Sequence, residues 1–258
     1  MNYKELATKA RRKILQMVHE AGTSHIASNF SVVDIATVLY ENLKPGDEVC
    51  WSKGWAAATI YYFLAKQGKI PVEDLDKFGK EIDGKIPYLG LAETSTPGVH
   101  VNSGSMGHGL PVAVGMALAK KRAGDPGIIY CIMSDGEMNE GTTWESAMLA
   151  AHHQLDNLIV IIDKNKWQAM GKTEDVINLD PLEARWEGFE WEVMAGSGHD
   201  YVTIDAFITS NSYHGRPTAI IFNTIKGAGV SFFENHLLYH YKHVETEEFE
   251  RALKELQA

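Results

Sequence analysis

The stretch that decides the fold runs from residue 128 to residue 163 and reads IIYCIMSDGEMNEGTTWESAMLAAHHQLDNLIVIID. Residues 128–133 and 158–163 are short apolar runs typical of buried strands, and residues 142–154 between them have the pattern of a helix. A strand, a helix and a strand within about 35 residues form a βαβ unit, which requires a parallel sheet. Residues 218–222 (TAIIF) predict a later strand. We therefore expect an α/β fold with a doubly wound, mostly parallel sheet flanked by helices.

Polar residues follow both central strands of this unit. Ser134-Asp135-Gly136-Glu137 comes after the first strand, and Asn165 follows the second, thirty residues after Asp135. Ligands of such sheets bind outside the carboxyl ends of the strands. A carboxylate and an amide oxygen there suit a hard cation such as Mg²⁺, which takes few protein ligands and completes its shell with phosphate and water. The alternative is a simple turn at Asp135-Gly136 and a loop at Asn165.

The composition narrows the classes of function. The chain has 258 residues, a formal net charge of -10 and two cysteines. An acidic chain is not expected to bind nucleic acid or an anionic membrane through its overall charge. No apolar run approaches the roughly 18–20 residues that span a bilayer, and the charged N-terminus does not read as a secretory signal. We expect a cytoplasmic protein without a membrane segment.

The rest of the chain predicts one domain. Residues 3–20 have a helical pattern, and residues 31–41 predict a second helix that Ser31 could cap, with Asp34 three residues later. Residues 48–107 are mixed and rich in Gly, Pro and Thr, which indicates loops. Residues 245–258 read as one charged helix. Without a repeat or a linker, we expect a single domain over residues 1–258.

Two further patterns leave alternatives open. Closely spaced glycines in residues 103–109 precede an apolar helical pattern at 110–119, and such glycines let backbone N–H groups approach a phosphate. The alternative is a tight turn without a ligand. His236, His240 and His243 suggest a metal site, but three histidines near a terminus are more often solvated.

The quoted stretch resembles the thiamine diphosphate motif of transketolases, which runs from Gly-Asp-Gly to an Asn about thirty residues later. Ser134 stands where that family usually has its first glycine. Other segments resemble transketolase motifs in the same order, at residues 24–26, 51–54, 96–99, 103–110 and 226–235. The resemblance implies a diphosphate-binding domain that takes thiamine diphosphate and a divalent metal, Mg²⁺ or alternatively Ca²⁺ or Mn²⁺.

The resemblance also implies roles for individual residues. Asp135, the side chain of Asn165 and the backbone carbonyl of Trp167 would hold the metal. His25 and His240 would be catalytic hydrogen-bond donors, and Glu140 would meet a catalytic carboxylate of a partner subunit. Contacts with the cofactor are implied at His25, Ser105, Met106, Gly107, Asp135, Gly136, Glu137, Asn165, Lys226 and His240.

No second α/β pattern follows residue 222 in this sequence. The resemblance therefore implies the N-terminal subunit of a split transketolase, whose pyrimidine-binding domain lies on a C-terminal partner subunit in an α2β2 heterotetramer. The expected reaction is transfer of a two-carbon ketol or acyl unit from a sugar phosphate or a 2-oxo acid to an aldehyde. Alternatives are a non-catalytic protein that binds thiamine diphosphate and a 2-oxo-acid carboligase or decarboxylase subunit.

Two departures from the family concern the donor of the transferred unit. Trp55 and Gly90 stand where transketolases carry histidines beside the donor's first hydroxyl groups. A less polar pocket leaves a buried hydroxyl unpaired, at a cost of about 1–3 kcal/mol per group. The sequence thus suggests a donor other than an ordinary ketose phosphate, although another side chain could replace the missing imidazoles.

Overall fold

Parallel strands form the centre of the molecule in a computed structural model, which describes residues 2–102, 104, 106–210 and 215–257. The strands lie in the order β1-β2-β3-β5-β4, and every neighbouring pair is parallel. They are β1 (Glu48–Trp51), β2 (Ile129–Ser134), β3 (Leu158–Lys164), β4 (Glu192–Ser197) and β5 (Thr218–Asn223).

Helices connect the strands and cover the sheet. The α-helices are α1 (Tyr3–Glu20), α2 (Ile26–Phe30), α3 (Val33–Asn42), α4 (Ala57–Lys66), α5 (Gly109–Ala123), α6 (Gly141–His152), α7 (Thr173–Val176), α8 (Leu182–Gly188), α9 (Tyr201–Ile208) and α10 (Thr246–Glu255). Short 3₁₀ turns lie at Gly54–Ala56, Val72–Lys77, Asp135–Asn139 and Leu237–His240. Among the described residues, no helix is both long enough and apolar enough to cross a bilayer.

Side chains that alternate along the central strands build two separate hydrophobic cores. In β3, Ile159 and Ile161 face one core, which also contains residues of α1, α3, α4 and α9. Val160 and Ile162 face the other, together with residues of α5, α6 and α8. Strands buried on both faces explain why β2 and β3 are continuous apolar runs in the sequence. The predicted doubly wound, mostly parallel α/β fold is confirmed.

Two strands and one helix start differ from the sequence-based expectation. β1 and β4 lie in segments that were not predicted as strands. β4 is an edge strand with no buried residue, and β1 has only four residues, so neither forms a long apolar run. The predicted cap at Ser31 was wrong, because α3 begins after Val32 and the Ser31 hydroxyl donates to Asp163 instead, at 2.6 Å.

A buried ion pair ties the carboxyl ends of three strands together. Lys53, just after β1, pairs with Asp163 at the end of β3, and the two side chains are 5% and 0% exposed. The ammonium also donates to the Ser28 carbonyl at 2.8 Å and to Ser31 Oγ at 2.9 Å. Asp163 accepts a further bond from Thr224, just after β5. Although burial alone would raise the pKa of Asp163, Lys53 and these donors hold that pKa below its usual value.

The ion pair predicts a large cost for removing its cation. Lys53→Met should lower the free energy of unfolding by about 3–5 kcal/mol at pH 7, because it leaves a buried carboxylate without a counter-charge. Without Lys53, burial should raise the pKa of Asp163 above its usual value. The deficit should then shrink as the pH falls from 7 to 5, because a neutral carboxyl is cheaper to bury. Urea unfolding at both pH values measures this.

Lys66→Met is the matched control for this experiment. Lys66 pairs with Glu41 at 2.5 Å on the surface, where the side chains are 36% and 20% exposed. An ion pair this exposed should contribute no more than about 1 kcal/mol. Equal losses in the two variants would show that burial of the Lys53 pair does not have the effect we assign to it.

Candidate functional site

A cleft of about 330 Å³ lies at the carboxyl edge of the sheet. Residues that follow β1, β2, β3 and β5 line it, so that segments distant in sequence contribute to one site. Its position agrees with the general location of ligand sites in open parallel sheets. The site expected from the polar residues after β2 and β3 therefore lies where those strands end.

Asp135 lies at the start of the 3₁₀ turn after β2 and is buried. Its Oδ2 accepts hydrogen bonds from the Lys166 amide at 2.8 Å and from Thr173 Oγ1 at 2.9 Å, and its Oδ1 accepts from the Gly136 amide at 3.1 Å. Burial and the nearby charge of Asp163 raise the pKa of Asp135 to about 6. Within the part of the chain that the structure describes, no basic side chain forms an ion pair with this carboxylate. A bound cation would compensate it.

Asn165 follows β3 and brings an amide oxygen to the same edge. Its side chain is buried, lines the cleft, and accepts a hydrogen bond from the Trp167 amide at 3.1 Å. Trp167 also lines the cleft. Asp135 and Asn165 thus offer one carboxylate and one amide oxygen, the hard ligands that Mg²⁺ prefers. This donor set fits a divalent metal completed by phosphate or water.

Glu137 is fully engaged by donors of the protein itself. It accepts hydrogen bonds from the Ser52 hydroxyl, from the Gly107 amide at 3.2 Å and from the Ser134 amide at 2.9 Å. Burial raises the pKa of Glu137, while these donors oppose that rise. The carboxylate therefore joins the segment after β1 to the glycine-rich segment before α5, and it borders the cleft.

Glycines allow close packing of the backbone at two predicted positions, of which Gly136 lines the cleft. Gly107 has a φ of +77°, and a side chain there would meet Thr142 Oγ1 at 2.6 Å. At Gly136 a Cβ would lie 3.2 Å from Gln168 Cγ and 3.6 Å from the sulfur of Met106. Met106 lines the cleft and is partly exposed, whereas the predicted contact at Ser105 lies outside the described residues.

Lys226 points into the cleft from the loop after β5. The residue is 1% exposed, and its ammonium donates to His240 Nδ1 at 2.7 Å. Burial and the nearby Lys53 lower the pKa of Lys226 to about 8. No acidic side chain in the described residues forms an ion pair with Lys226. A buried cation without a carboxylate partner is suited to an anionic ligand.

His25 and His240 meet beside Lys226. Their ring centroids lie 4.8 Å apart, and His25 also stacks on the indole of Trp55 at 4.4 Å. Burial and the charge of Lys226 lower the pKa of His25 to about 4 and that of His240 to about 3, so both rings are neutral near pH 7. An ammonium can only donate, so Nδ1 of His240 accepts and its ring proton lies on Nε2.

His25 and Trp55 line a second cavity of about 360 Å³. Gly90, Thr23 and Tyr241 line it, and Trp55 borders both this cavity and the cleft. The structure thus brings Trp55 and Gly90, the two departures from the transketolase pattern, to the same cavity.

The remaining predicted residues are distributed differently. Glu140 lines the cleft immediately before α6. Of the three C-terminal histidines, only His240 lines the cleft. His236 caps a 3₁₀ turn, and His243 pairs with Glu245 at 2.8 Å. The described residues contain no cluster of three or more His, Cys, Asp or Glu able to hold a metal.

Sequence reasoning gave no role to two residues that the structure brings into the site. Lys53 lines the cleft and pairs with Asp163, and Gln168 lies against Gly136 and donates to Asn139 Oδ1 at 2.6 Å. Lys53 lies two residues after β1, a strand that was not predicted from the sequence. The position of Gln168, three residues after Asn165, was the only signal for its proximity.

The chain matches a protein family over nearly its whole length. Residues 3–256 match the family described as transketolase, thiamine diphosphate binding domain. An apulose-4-phosphate transketolase subunit of Actinobacillus succinogenes is 40% identical over 99% of this chain and 97% of its own. The 6-deoxy-6-sulfo-D-fructose transketolase subunit SqwG of a Clostridium species is 35% identical over 97% of this chain and 94% of its own.

Longer transketolases share the same fold. The crystal structure of transketolase from Campylobacter jejuni superposes with a TM-score of 0.91 and 30% identity, over all of this chain but only 43% of that protein. Human transketolase is 30% identical over 98% of this chain and 42% of its own length. This chain belongs to the transketolase family and corresponds to its thiamine diphosphate binding domain.

Proposed function

We propose that this chain is the diphosphate-binding subunit of a transketolase that uses thiamine diphosphate and transfers a two-carbon ketol unit to an aldehyde. The observation that carries the proposal is a pair of uncompensated buried charges at the carboxyl edge of the sheet. Lys226 lines the cleft, and Asp135 lies between two residues that line it, Ser134 and Gly136, although its own side chain borders a separate cavity of about 100 Å³. Asp135 is a buried anion without a basic partner, and Lys226 is a buried cation without an acidic partner, within the described residues. A divalent metal with a diphosphate would compensate both charges at once.

The residues of the cleft divide this task. Asp135, the side chain of Asn165 and the carbonyl of Trp167 would hold the metal, here proposed as Mg²⁺ with Ca²⁺ or Mn²⁺ as alternatives. Lys226 would contact the diphosphate, and the close backbone at Gly136, which lines the cleft, leaves room for it, with Gly107 as a further contact proposed from the sequence. Met106, Glu137 and Ser105 complete the proposed contacts, Ser105 on the basis of the sequence alone.

His25 and His240 are the proposed catalytic residues of this chain. Thiamine diphosphate, when bound, supplies the electron sink that allows a carbon–carbon bond beside a carbonyl to break. Both imidazoles are neutral near pH 7 because Lys226 and burial disfavour their charged forms. A neutral ring can donate from one nitrogen, so Nε2 of His240 can stabilise an oxygen on which negative charge develops.

The ketose donor is favoured over the 2-oxo-acid alternative. The matched subunits of similar length carry the names of transketolases that act on apulose 4-phosphate or 6-deoxy-6-sulfo-D-fructose. Ser24 and His25 line the cavity that Trp55 borders, and the Ser24 hydroxyl lies 2.6 Å from Nδ1 of His25. These two polar side chains can pair a donor hydroxyl in place of the imidazoles absent at Trp55 and Gly90.

A pyrimidine-domain subunit is the proposed partner, in an α2β2 assembly with Glu140 at the interface. The matched relatives of similar length are themselves named as subunits of transketolases. The outer face of α6 exposes Met148 and Leu149, which are 51% and 47% exposed, as interfaces often do. The cytoplasm is the proposed location, because both cysteines are free and buried, which suits a reducing compartment.

Removal of the Asp135 charge tests the cofactor assignment. Asp135→Asn keeps the size of the side chain but removes the anion, so metal-dependent affinity for thiamine diphosphate should fall at least about tenfold. Calorimetric titration in MgCl2 and in EDTA measures the metal-dependent part, on the complex with the partner if the chain alone binds too weakly. Asp156→Asn, at an exposed ion pair with Lys121, is the control. Unchanged affinity in Asp135→Asn would refute the metal site.

Assembly with a partner is tested on the α6 face. The purified chain alone should show no turnover. Co-expression with a pyrimidine-domain subunit encoded by a neighbouring gene should give an active enzyme. Leu149→Arg should weaken the complex at least about tenfold, because it places a charge in an apolar interface. Val202→Arg, at a 78% exposed position of α9, serves as the control. Sedimentation velocity and turnover are the readouts, and full activity without a partner contradicts the split enzyme.

The donor class is tested by competition on the reconstituted complex. Xylulose 5-phosphate should exceed pyruvate in kcat/KM by at least about tenfold, since Ser24 and His25 can form hydrogen bonds with the hydroxyl groups of a ketose donor. Product analysis after mixed incubation gives the ratio directly. A preference for pyruvate would instead support the acetyl-type transfer that Trp55 and Gly90 suggest in the sequence.

A further inference from the structure

The loop that carries Lys226 is held by side chains from elsewhere in the fold. The amide of Ile225 donates to Nε2 of His199 at 2.8 Å, and the carbonyl of Ala228 accepts from Nε of Arg11 at 2.9 Å. These two bonds flank Lys226 on either side. The Gly227 amide adds a third, to the Ala27 carbonyl at 3.0 Å.

The side chains of Arg11 and His199 both bind one buried carboxylate, that of Asp34 on α3. Arg11 donates to both of its oxygens at 2.7 Å, and Nδ1 of His199 lies 2.7 Å from Oδ2. Tyr201 donates to Oδ1 at 2.7 Å. Although burial would raise the pKa of Asp34, Arg11 and the other two donors hold it well below its usual range. Asp34 therefore remains an anion that fixes Arg11 and His199 together.

The bonding pattern defines the state of His199. A backbone amide can only donate, so Nε2 must accept the bond from Ile225 and carries no proton. The proton of the neutral ring then lies on Nδ1 and is donated to Asp34. His199 thus links Asp34 to the loop. Its Nδ1 donates to Asp34, and its Nε2 accepts from the Ile225 amide.

The loop needs such support because two of its residues are glycines in left-handed conformations. Gly227 and Gly229 have φ values of +83° and +99°, which leave the backbone few restraints of its own. A displacement of Ile225 or Ala228 would move the Lys226 ammonium away from His240. An ammonium stabilises an anionic ligand strongly only while it stays close to it.

We propose that Asp34, through Arg11 and His199, positions Lys226 for contact with the diphosphate, so that the three are positioning residues for cofactor binding. The inference rests on the proposed function, in which Lys226 contacts that diphosphate. None of the three lines the cleft itself. Their effect would be transmitted through the backbone of residues 225–228.

Two variants of His199 separate the two bonds of its ring. His199→Gln can place an amide oxygen near Nε2, so it keeps an acceptor for Ile225 but loses the donor to Asp34. His199→Asn can place an amide nitrogen near Nδ1, so it keeps the donor to Asp34 but loses the acceptor for Ile225. The control is Tyr3→Phe, which removes a bond of 2.5 Å to Asp205 on α9 and leaves the Lys226 loop untouched.

Hydrogen exchange and cofactor titration are the two readouts. Exchange in peptides covering residues 224–229, without cofactor, should become fastest in His199→Asn, which loses the bond to the loop. It should rise less in His199→Gln, which keeps that bond but loses its anchor on Asp34, and stay near the wild-type rate in Tyr3→Phe. Thiamine diphosphate affinity of the complex with the partner, in MgCl2, should fall at least about fivefold in His199→Asn, about two- to threefold in His199→Gln and less than about 1.5-fold in Tyr3→Phe, because the direct bond to the loop matters more than the anchor behind it. Urea unfolding of each variant shows that the differences do not follow global stability.

The outcomes distinguish the inference from the proposed function. Lys226→Met tests the proposed function alone. If its affinity for thiamine diphosphate equals that of the wild type, Lys226 does not contact the diphosphate, whatever the exchange rates are. If Lys226→Met binds weakly but His199→Asn binds like the wild type, the loop needs no support and the positioning role is refuted. Equal losses in His199→Asn and His199→Gln would also refute it, because they would point to general destabilisation.

Discussion

The buried ion pair of Lys53 and Asp163 is the interaction on which the rest of the site depends. It joins the end of β1 to the end of β3, and its hydrogen bonds reach α2 through Ser28 and β5 through Thr224. A charge pair without water is tolerated only when its remaining polar atoms also find partners. That requirement fixes four segments relative to one another at the edge where the cleft opens.

Two charged side chains near this pair, Asp135 and Lys226, determine what the site can bind. Lys53 and Asp163 largely compensate each other, whereas Asp135 and Lys226 lie nearby without such partners in the described residues. The rise in the pKa of Asp135 and the fall in that of Lys226 express one cause, the burial of charge. The same burial keeps His25 and His240 neutral beside an ammonium group. This edge of the sheet thus combines ligands for a metal, a cation for an anion and uncharged donors.

The sequence predicted the parts of this arrangement that depend on local pattern. The apolar runs of β2 and β3 identified the parallel sheet, and the geometry of parallel strands then put Asp135 and Asn165 at one edge. The ion pair escaped prediction because a lysine after a four-residue strand carries no local signal. The cap at Ser31 was predicted wrongly because local sequence shows only nearby partners, whereas the actual partner of Ser31, Asp163, lies 132 residues away. Interactions between distant segments need the fold before they can be recognised.

The alternation of β3 between two cores has a consequence for how this family can change. Ile159, Ile161 and Asp163 share one face of β3. Because side chains alternate between the two faces, the same register sets the packing of the core and the direction of the carboxylate at the end of the strand. One residue inserted or deleted within β3 would exchange the two cores and turn Asp163 away from Lys53. Insertions and deletions can therefore be tolerated in the segments between strands, but not within β3.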